Sequence, residues 1–141
     1  MEQDLQKACS LLEKGNYTCV LCKDKVVYTS TLRGVAPLMQ LLDEKQDVMG
    51  FSAADKVVGR ATAYLYCLLG VKAVYARVIS RGALEVLERA QIDLRYDALV
   101  EQIQNRTQTG PCPMEWATKD VNTPEEALAA VRETLMRLRN Q

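Results

Sequence analysis

Residues 48–79 read VMGFSAADKVVGRATAYLYCLLGVKAVYARVI, and the fold turns on how this stretch divides. Val48 to Ala53 is a short apolar run of strand length. From Asp55 to Leu69 nearly every side of a helix would be apolar: Val57, Val58, Ala61, Ala63, Tyr64, Leu65, Cys67, Leu68 and Leu69. A helix that is apolar all round is a buried one. Gly70 supplies its stop, because glycine takes the left-handed conformation at a helix end without strain. Val71 to Ile79 is rich in β-branched and aromatic residues and reads as the next strand. Strand, buried helix and strand in succession predict an α/β domain.

The flanks extend that pattern. Residues 4–14 form a helix with Leu5, Ala8, Leu11 and Leu12 at helical spacing, and Gly15-Asn16 stops it. Thr18 to Leu21 and Lys25 to Thr29 are β-rich runs around Lys23-Asp24, which predicts a hairpin. Gly34 to Leu42 is a helix whose first turn tolerates Pro37. Ser80 can N-cap a helix to Ala90, with Ala83, Leu84 and Leu87 inward. Ile92 to Tyr96 is a strand and Asp97 to Gln104 a helical turn. Asn105 to Met114 holds Gly110, Pro111 and Pro113 and is irregular. Thr123-Pro124-Glu125-Glu126 opens the last helix with Thr as N-cap and Pro at N1. Its inward face is Leu128, Val131, Leu135 and Leu138. No repeat or low-complexity stretch interrupts the chain, so residues 1–141 read as one three-layer α/β domain.

Composition narrows the chemistry. The chain has 141 residues, 18 basic against 18 acidic, and no histidine. Without an imidazole, Ser-His-Asp and Cys-His catalysis are out, as are zinc sites built on histidine. Acid–base work near neutral pH falls to Cys, Lys and environment-shifted carboxylates. The balanced charge argues against a nucleic-acid partner, which would call for a basic stripe. No apolar run is long enough to span a membrane, and the start lacks a signal peptide's basic and apolar regions. The five cysteines therefore read as reduced cytoplasmic thiols.

Four places could carry function. At Ser52 to Arg60, Asp55 stands where an N-cap would, and Lys56 and Arg60 are four apart, on one face of the predicted helix start. Two cations beside a positive helix end repel unless an anion lies between them, which makes this corner an anion site. The competing reading is an N-capped buried helix with two solvated cations. Pro111-Cys112-Pro113-Met114-Glu115 offers Cys112 as a nucleophile and Glu115 as acid or base, with Lys56, Arg60 and Arg106 as cations to stabilise a thiolate. Its competing reading is a structural turn with an inert thiol. Arg33-Gly34 precedes another helix and adds an anion-capable side chain. Cys19 and Cys22 form a C-x-x-C, but within a strand their side chains fall on opposite faces, which suits neither zinc nor redox chemistry.

Three of these stretches, in this order, carry a resemblance. Ala54-Asp55-Lys56-Val57-Val58-Gly59-Arg60-Ala61, Val74-Tyr75-Ala76-Arg77-Val78-Ile79-Ser80 and Cys112-Pro113-Met114-Glu115 together resemble the mainly prokaryotic family called domain of unknown function 1893. Arg33-Gly34-Val35-Ala36-Pro37-Leu38 fits the same pattern. The resemblance spans roughly residues 17–116. It implies a cytidine-deaminase-like fold, a mixed five-stranded sheet between helices with the hairpin strands first. In deaminases the zinc-ligating H-x-E and P-C-x-x-C open the helices after the hairpin and after the third strand. Here those corners carry Arg33-Gly34 and Ala54-Asp55-Lys56, so the resemblance implies no zinc ligands and no deaminase chemistry. What it implies is the pocket's position, and shared fold does not transfer activity.

The expected function is a metal-free, cofactor-free binding module for a nucleotide-like or other anionic small molecule. Lys56, Arg60, Arg33, Gly34 and Arg106 would hold the ligand, and Asp55 would order the turn. Two alternatives stand beside it. One is a metal-independent enzyme with Cys112 as nucleophile and Asp55 or Glu115 moving protons. The other is a homo-oligomeric interaction domain whose terminal helices, at 4–14 and 124–139, pair between copies.

Overall fold

In the computed structural model, which describes residues 2–105 and 107–140, eleven elements follow one another along the chain. Helix α1 (Gln3–Lys14) is capped by the Glu2 carboxylate, which accepts from the Asp4 amide at 3.0 Å. Strands β1 (Cys19–Lys23) and β2 (Val26–Ser30) form the predicted hairpin, with Asp24 in the left-handed conformation at its turn. Then come α2 (Ala36–Asp43), β3 (Ser52–Val58), α3 (Arg60–Leu69), β4 (Ala73–Ser80) and α4 (Arg81–Arg89). Strand β5 (Asp93–Val100), the short α5 (Pro113–Ala117) and α6 (Pro124–Arg139) complete the chain.

The sheet order is β2-β1-β3-β4-β5. β1 runs antiparallel to β2 and β3, while β3, β4 and β5 are parallel, so the sheet is mixed. Alternation along β1 splits the core. Val20 and Cys22 meet Leu5, Ala8 and Leu12 of α1 on one face. Cys19 and Leu21 join the larger cluster built with α2, α3, α4 and α6 on the other. The result is a three-layer α/β arrangement, and Cys19 and Cys22 point apart as a strand requires.

The boundaries of the central elements differ from the sequence reading. β3 runs to Val58, and α3 starts only at Arg60, five residues later than expected. Asp55 pairs with Cys19 of β1 on one side and Ala76 of β4 on the other, so it is mid-strand and cannot cap a helix. Two-sided pairing, which no local window reveals, overrides the charge pattern that looked like a helix start. The inward positions also break step: in β4 they go from Val74 to Ala76 and then to Ile79. β4 nonetheless falls where the sequence places a strand, within one or two residues at each end. Likewise β5 continues through Val100, paired to Val78, Ile79 and Ser80, where a helical turn was expected.

Elsewhere the local signals hold. Ser80 Oγ accepts from the Ala83 amide at 3.2 Å, Gly70 is left-handed at the end of α3, and Thr123 caps α6. The apolar faces of α1 and α6 are spent inside the chain: Leu5, Ala8 and Leu12, and Ala127 and Val131, are buried. Those five residues are therefore unavailable for pairing between copies. Leu138, expected inward, is 43% exposed. No helix among the described residues is long and apolar enough to cross a membrane.

Candidate functional site

The corner at the start of α3 is closed by the chain itself. Glu115, from the first turn of α5, places its carboxylate at the α3 N-terminus. The Arg60 amide donates to Glu115 Oε1 at 2.6 Å and the Ile103 amide to Oε2 at 3.1 Å. Ser80 Oγ lies 3.5 Å from Oε1. An anion at this helix end is what dipole and orphan amides call for. The anion is Glu115, 55 residues away in sequence. Gly59 makes the approach possible: a Cβ there would stand 2.9 Å from Glu115 Oε1.

Arg60 is equally committed. Its Nε donates to the Thr118 carbonyl at 2.7 Å and its Nη2 to the Val121 carbonyl at 2.9 Å. The guanidinium carbon sits 5.4 Å from the Tyr64 ring centroid, and the Tyr64 hydroxyl donates to the same Val121 carbonyl at 3.0 Å. The guanidinium thus ties the α5–α6 connection to α3. Lys56 lies in β3, half-buried, and does not share a helix face with Arg60. Arg33 and Gly34 are exposed before α2, with Gly34 at positive φ. Arg106 lies outside the described residues.

Of the residues expected for covalent chemistry, Cys112 and Glu115 stay together on α5 while Asp55 stands apart. Cys112 caps α5 and is half-buried; its amide donates to the Ile103 carbonyl at 2.8 Å. Glu115 binds the first residue of α3, whereas Asp55 binds Tyr66, six residues further along that helix. At 1.5 Å per residue, those two anchor points are about 9 Å apart along the axis. Among the described residues, no group of three or more Cys, Asp or Glu side chains is placed to hold a metal ion.

The structure gives Asp55 a different setting. Its side chain is buried, at 7% exposure, beneath α3. The Tyr66 hydroxyl donates to Asp55 Oδ2 at 2.7 Å, and the Val57 amide reaches Oδ1 at 3.3 Å. Cys19 Sγ lies 3.4 Å from the Tyr66 oxygen. Three polar groups from β1, α3 and β3 thus form one hydrogen-bonded chain inside the larger core. Burial pushes the Asp55 carboxyl up to about 7, against the opposing pull of the Tyr66 hydroxyl and the backbone amides. Burial also holds Cys19 and Tyr66 well above their ordinary values, with the Asp55 charge adding to both. Desolvation favours the neutral form of each group.

Cys19 connects this chain to a cleft. A cavity of about 100 Å³ opens between the hairpin and α2, walled by Cys19, Tyr28, Ser30, Gln40, Leu41 and Glu44 among others. Among the described residues, its one charged wall residue is Glu44. Sequence reasoning singled out Asp55 but gave it the wrong partner, and it missed Tyr66 and Glu44. The available signal for Tyr66 was its hydroxyl in an otherwise apolar helix, which must find a buried partner.

A family model described as domain of unknown function (DUF1893) matches residues 7–135. The chain belongs to the DUF1893 family. Among solved structures it is similar to the crystal structure of a DUF1893 family protein, TM1506, from Thermotoga maritima. That match has a TM-score of 0.87 at 22% identity and covers 94% of this chain and 90% of the other. At that identity the likeness establishes the fold alone. No curated protein matches this DUF1893 chain.

Proposed function

We propose that this DUF1893 protein binds a small, neutral or cationic polar molecule in the cleft between the hairpin and α2. The observation that carries the reading is the hydrogen-bonded chain Cys19–Tyr66–Asp55, which begins at the cleft wall and ends on a buried acid. Size and charge select the ligand. At about 100 Å³ the cleft is small, which suits a small polar ligand. The carboxylate of Glu44 favours a cation over an anion. The deaminase-like layout that the sequence resemblance implies supports the location, since α2, the helix after the hairpin, walls the cleft.

A thermal-shift screen with small amines, amides and polyols tests the reading. Stabilising compounds are expected, and Glu44→Lys should weaken the cationic ones at least tenfold. No stabilising compound, or compounds indifferent to both Glu44→Lys and Cys19→Ala, would overturn it.

One observation keeps the anionic, nucleotide-like ligand as a second reading at a different place. A groove of about 420 Å³ between α5 and α6 is lined by Pro111, Pro113, Trp116, Thr134, Arg137 and Leu138. It lies within the usual size range of ligand sites. Trp116 is 60% exposed and offers a ring for stacking, while Arg137 offers a cation. It is the chain's sole tryptophan, so nucleotide binding there would quench the intrinsic fluorescence. Unchanged emission at millimolar nucleotide removes this reading.

A further inference from the structure

Strand β5 ends the sheet. β4 pairs along one side of it, and among the described residues no strand pairs along the other. Edge strands are ordinarily kept short or blunted by lysine or proline, because their free amides and carbonyls are a template for another chain. The opposite edge, β2, has five residues; β5 has eight and contains neither lysine nor proline. Five consecutive positions include four exposed ones, Arg95, Tyr96, Asp97 and Ala98 after the half-buried Leu94.

The charges on this edge alternate along one face. Arg95 Nη1 contacts Asp93 Oδ1 at 3.3 Å, which puts both on the same side. Asp97 accepts from the Tyr75 hydroxyl, and Tyr75 stands opposite Arg95 in the ladder, so Asp97 shares that side. The face therefore reads minus, plus, minus at positions 93, 95 and 97.

We propose that β5 is a homodimerisation edge, pairing antiparallel with β5 of a second copy about a two-fold axis through Tyr96. A two-fold axis makes the contact self-complementary. Residues directly opposite in an antiparallel pair must share a face, so the axis falls on a residue, and few residues qualify. On Tyr96 it sets Arg95 against Asp97 of the second copy, twice over, and brings Asp93 to Leu99 into register. An axis on Arg95 or on Asp97 sets like charges face to face. Axes on Leu94 or Leu99 leave three strand residues in register, and an axis on Ala98 leaves Asp97 opposite a leucine. Opposite charges directly across a ladder stabilise it and like charges weaken it. The Tyr96 axis alone pairs Arg95 with Asp97 in both directions while keeping residues 93–99 in register, with Asp93 opposite Leu99. It also places the exposed Tyr96 ring against its own copy.

Sedimentation equilibrium of the full chain tests this. The wild type is expected at twice the chain mass. Arg95→Asp removes both ion pairs and substitutes repulsion, so dimerisation should weaken roughly tenfold or more. Asp97→Arg should do the same alone. Mixing the two variants should restore a dimer, because each reversed charge then meets an opposite one. A variant that fails to fold does not block the test. Tyr96→Cys places a thiol opposite its copy, and oxidation should then give a covalent dimer that the wild type does not form. A monomeric wild type, a dimer indifferent to Arg95→Asp, or a Tyr96→Cys variant that yields no covalent dimer overturns the proposal.

Discussion

Asp55 carries the largest conflict at the residue scale. Its carboxyl is held at about 7 in the fold against an ordinary 3.8. Holding the charged form there costs on the order of 4 kcal/mol. The folded value lies above the unfolded one, so the folded chain binds the proton more tightly. Below about pH 4 both states are protonated and nothing is lost. Stability then falls as pH rises from about 4 to about 7, and the loss is complete above that. Urea unfolding should therefore give wild type more stability at pH 5 than at pH 8. Asp55→Asn should flatten that difference; a difference of the same size in both proteins contradicts the assignment. Tyr66→Phe leaves Asp55 Oδ2 without its donor and should cost about 1–3 kcal/mol. Glu115 is the second decisive residue. Glu115→Ala strips the partner from the Arg60 and Ile103 amides and should cost a similar amount, about 1–3 kcal/mol, as a fall in the thermal midpoint. Gly59→Ala should weaken the same contact by steric displacement, since the added carbon meets the carboxylate at 2.9 Å.

Among the elements, α3 organises both polar clusters. Its N-terminus receives Glu115, its first residue grips the α5–α6 connection, and Tyr66 reaches down to Asp55. Arg60→Ala should therefore loosen residues 113–123 while leaving the sheet intact. Hydrogen exchange would read this as faster exchange in α5 and its connection to α6 with β3 and β4 unchanged. Equal acceleration across the chain would mean that Arg60 supports the whole fold. The elements also divide by how readable they were. α1, the hairpin, α4 and the start of α6 carry their signals within a few residues: Gly15, Asp24 at the hairpin turn, Ser80 and Thr123. Thr123→Ala should cost about 1 kcal/mol in thermal unfolding, the ordinary worth of such a cap. β3 carries no such signal. Asp55-Lys56-Val57-Val58 is a strand because β1 and β4 both pair with it, and those partners lie tens of residues away. The same distance hid Glu115 as the cap of α3. The physics of an anion at that helix end was sound, and the anion came from elsewhere in the chain.

At the scale of the molecule, the mixed sheet brings Cys19, Asp55 and Tyr66 together from β1, β3 and α3. The family membership was legible in the sequence, through three short motifs that lie inside the matched residues 7–135. Their roles were not, because all three motifs turn out to meet at the closure of Glu115 with Arg60 and Ser80 instead of at an open ligand site. The cleft above Cys19 stays open. The most direct test is two-dimensional NMR of the labelled chain during titration with a stabilising compound from the polar set. The account predicts shift changes centred on Cys19, Leu21, Gln40 and Glu44, extending through the buried chain to Tyr66 and Asp55. Shift changes confined to Trp116 and Arg137, or to neither region, would contradict it.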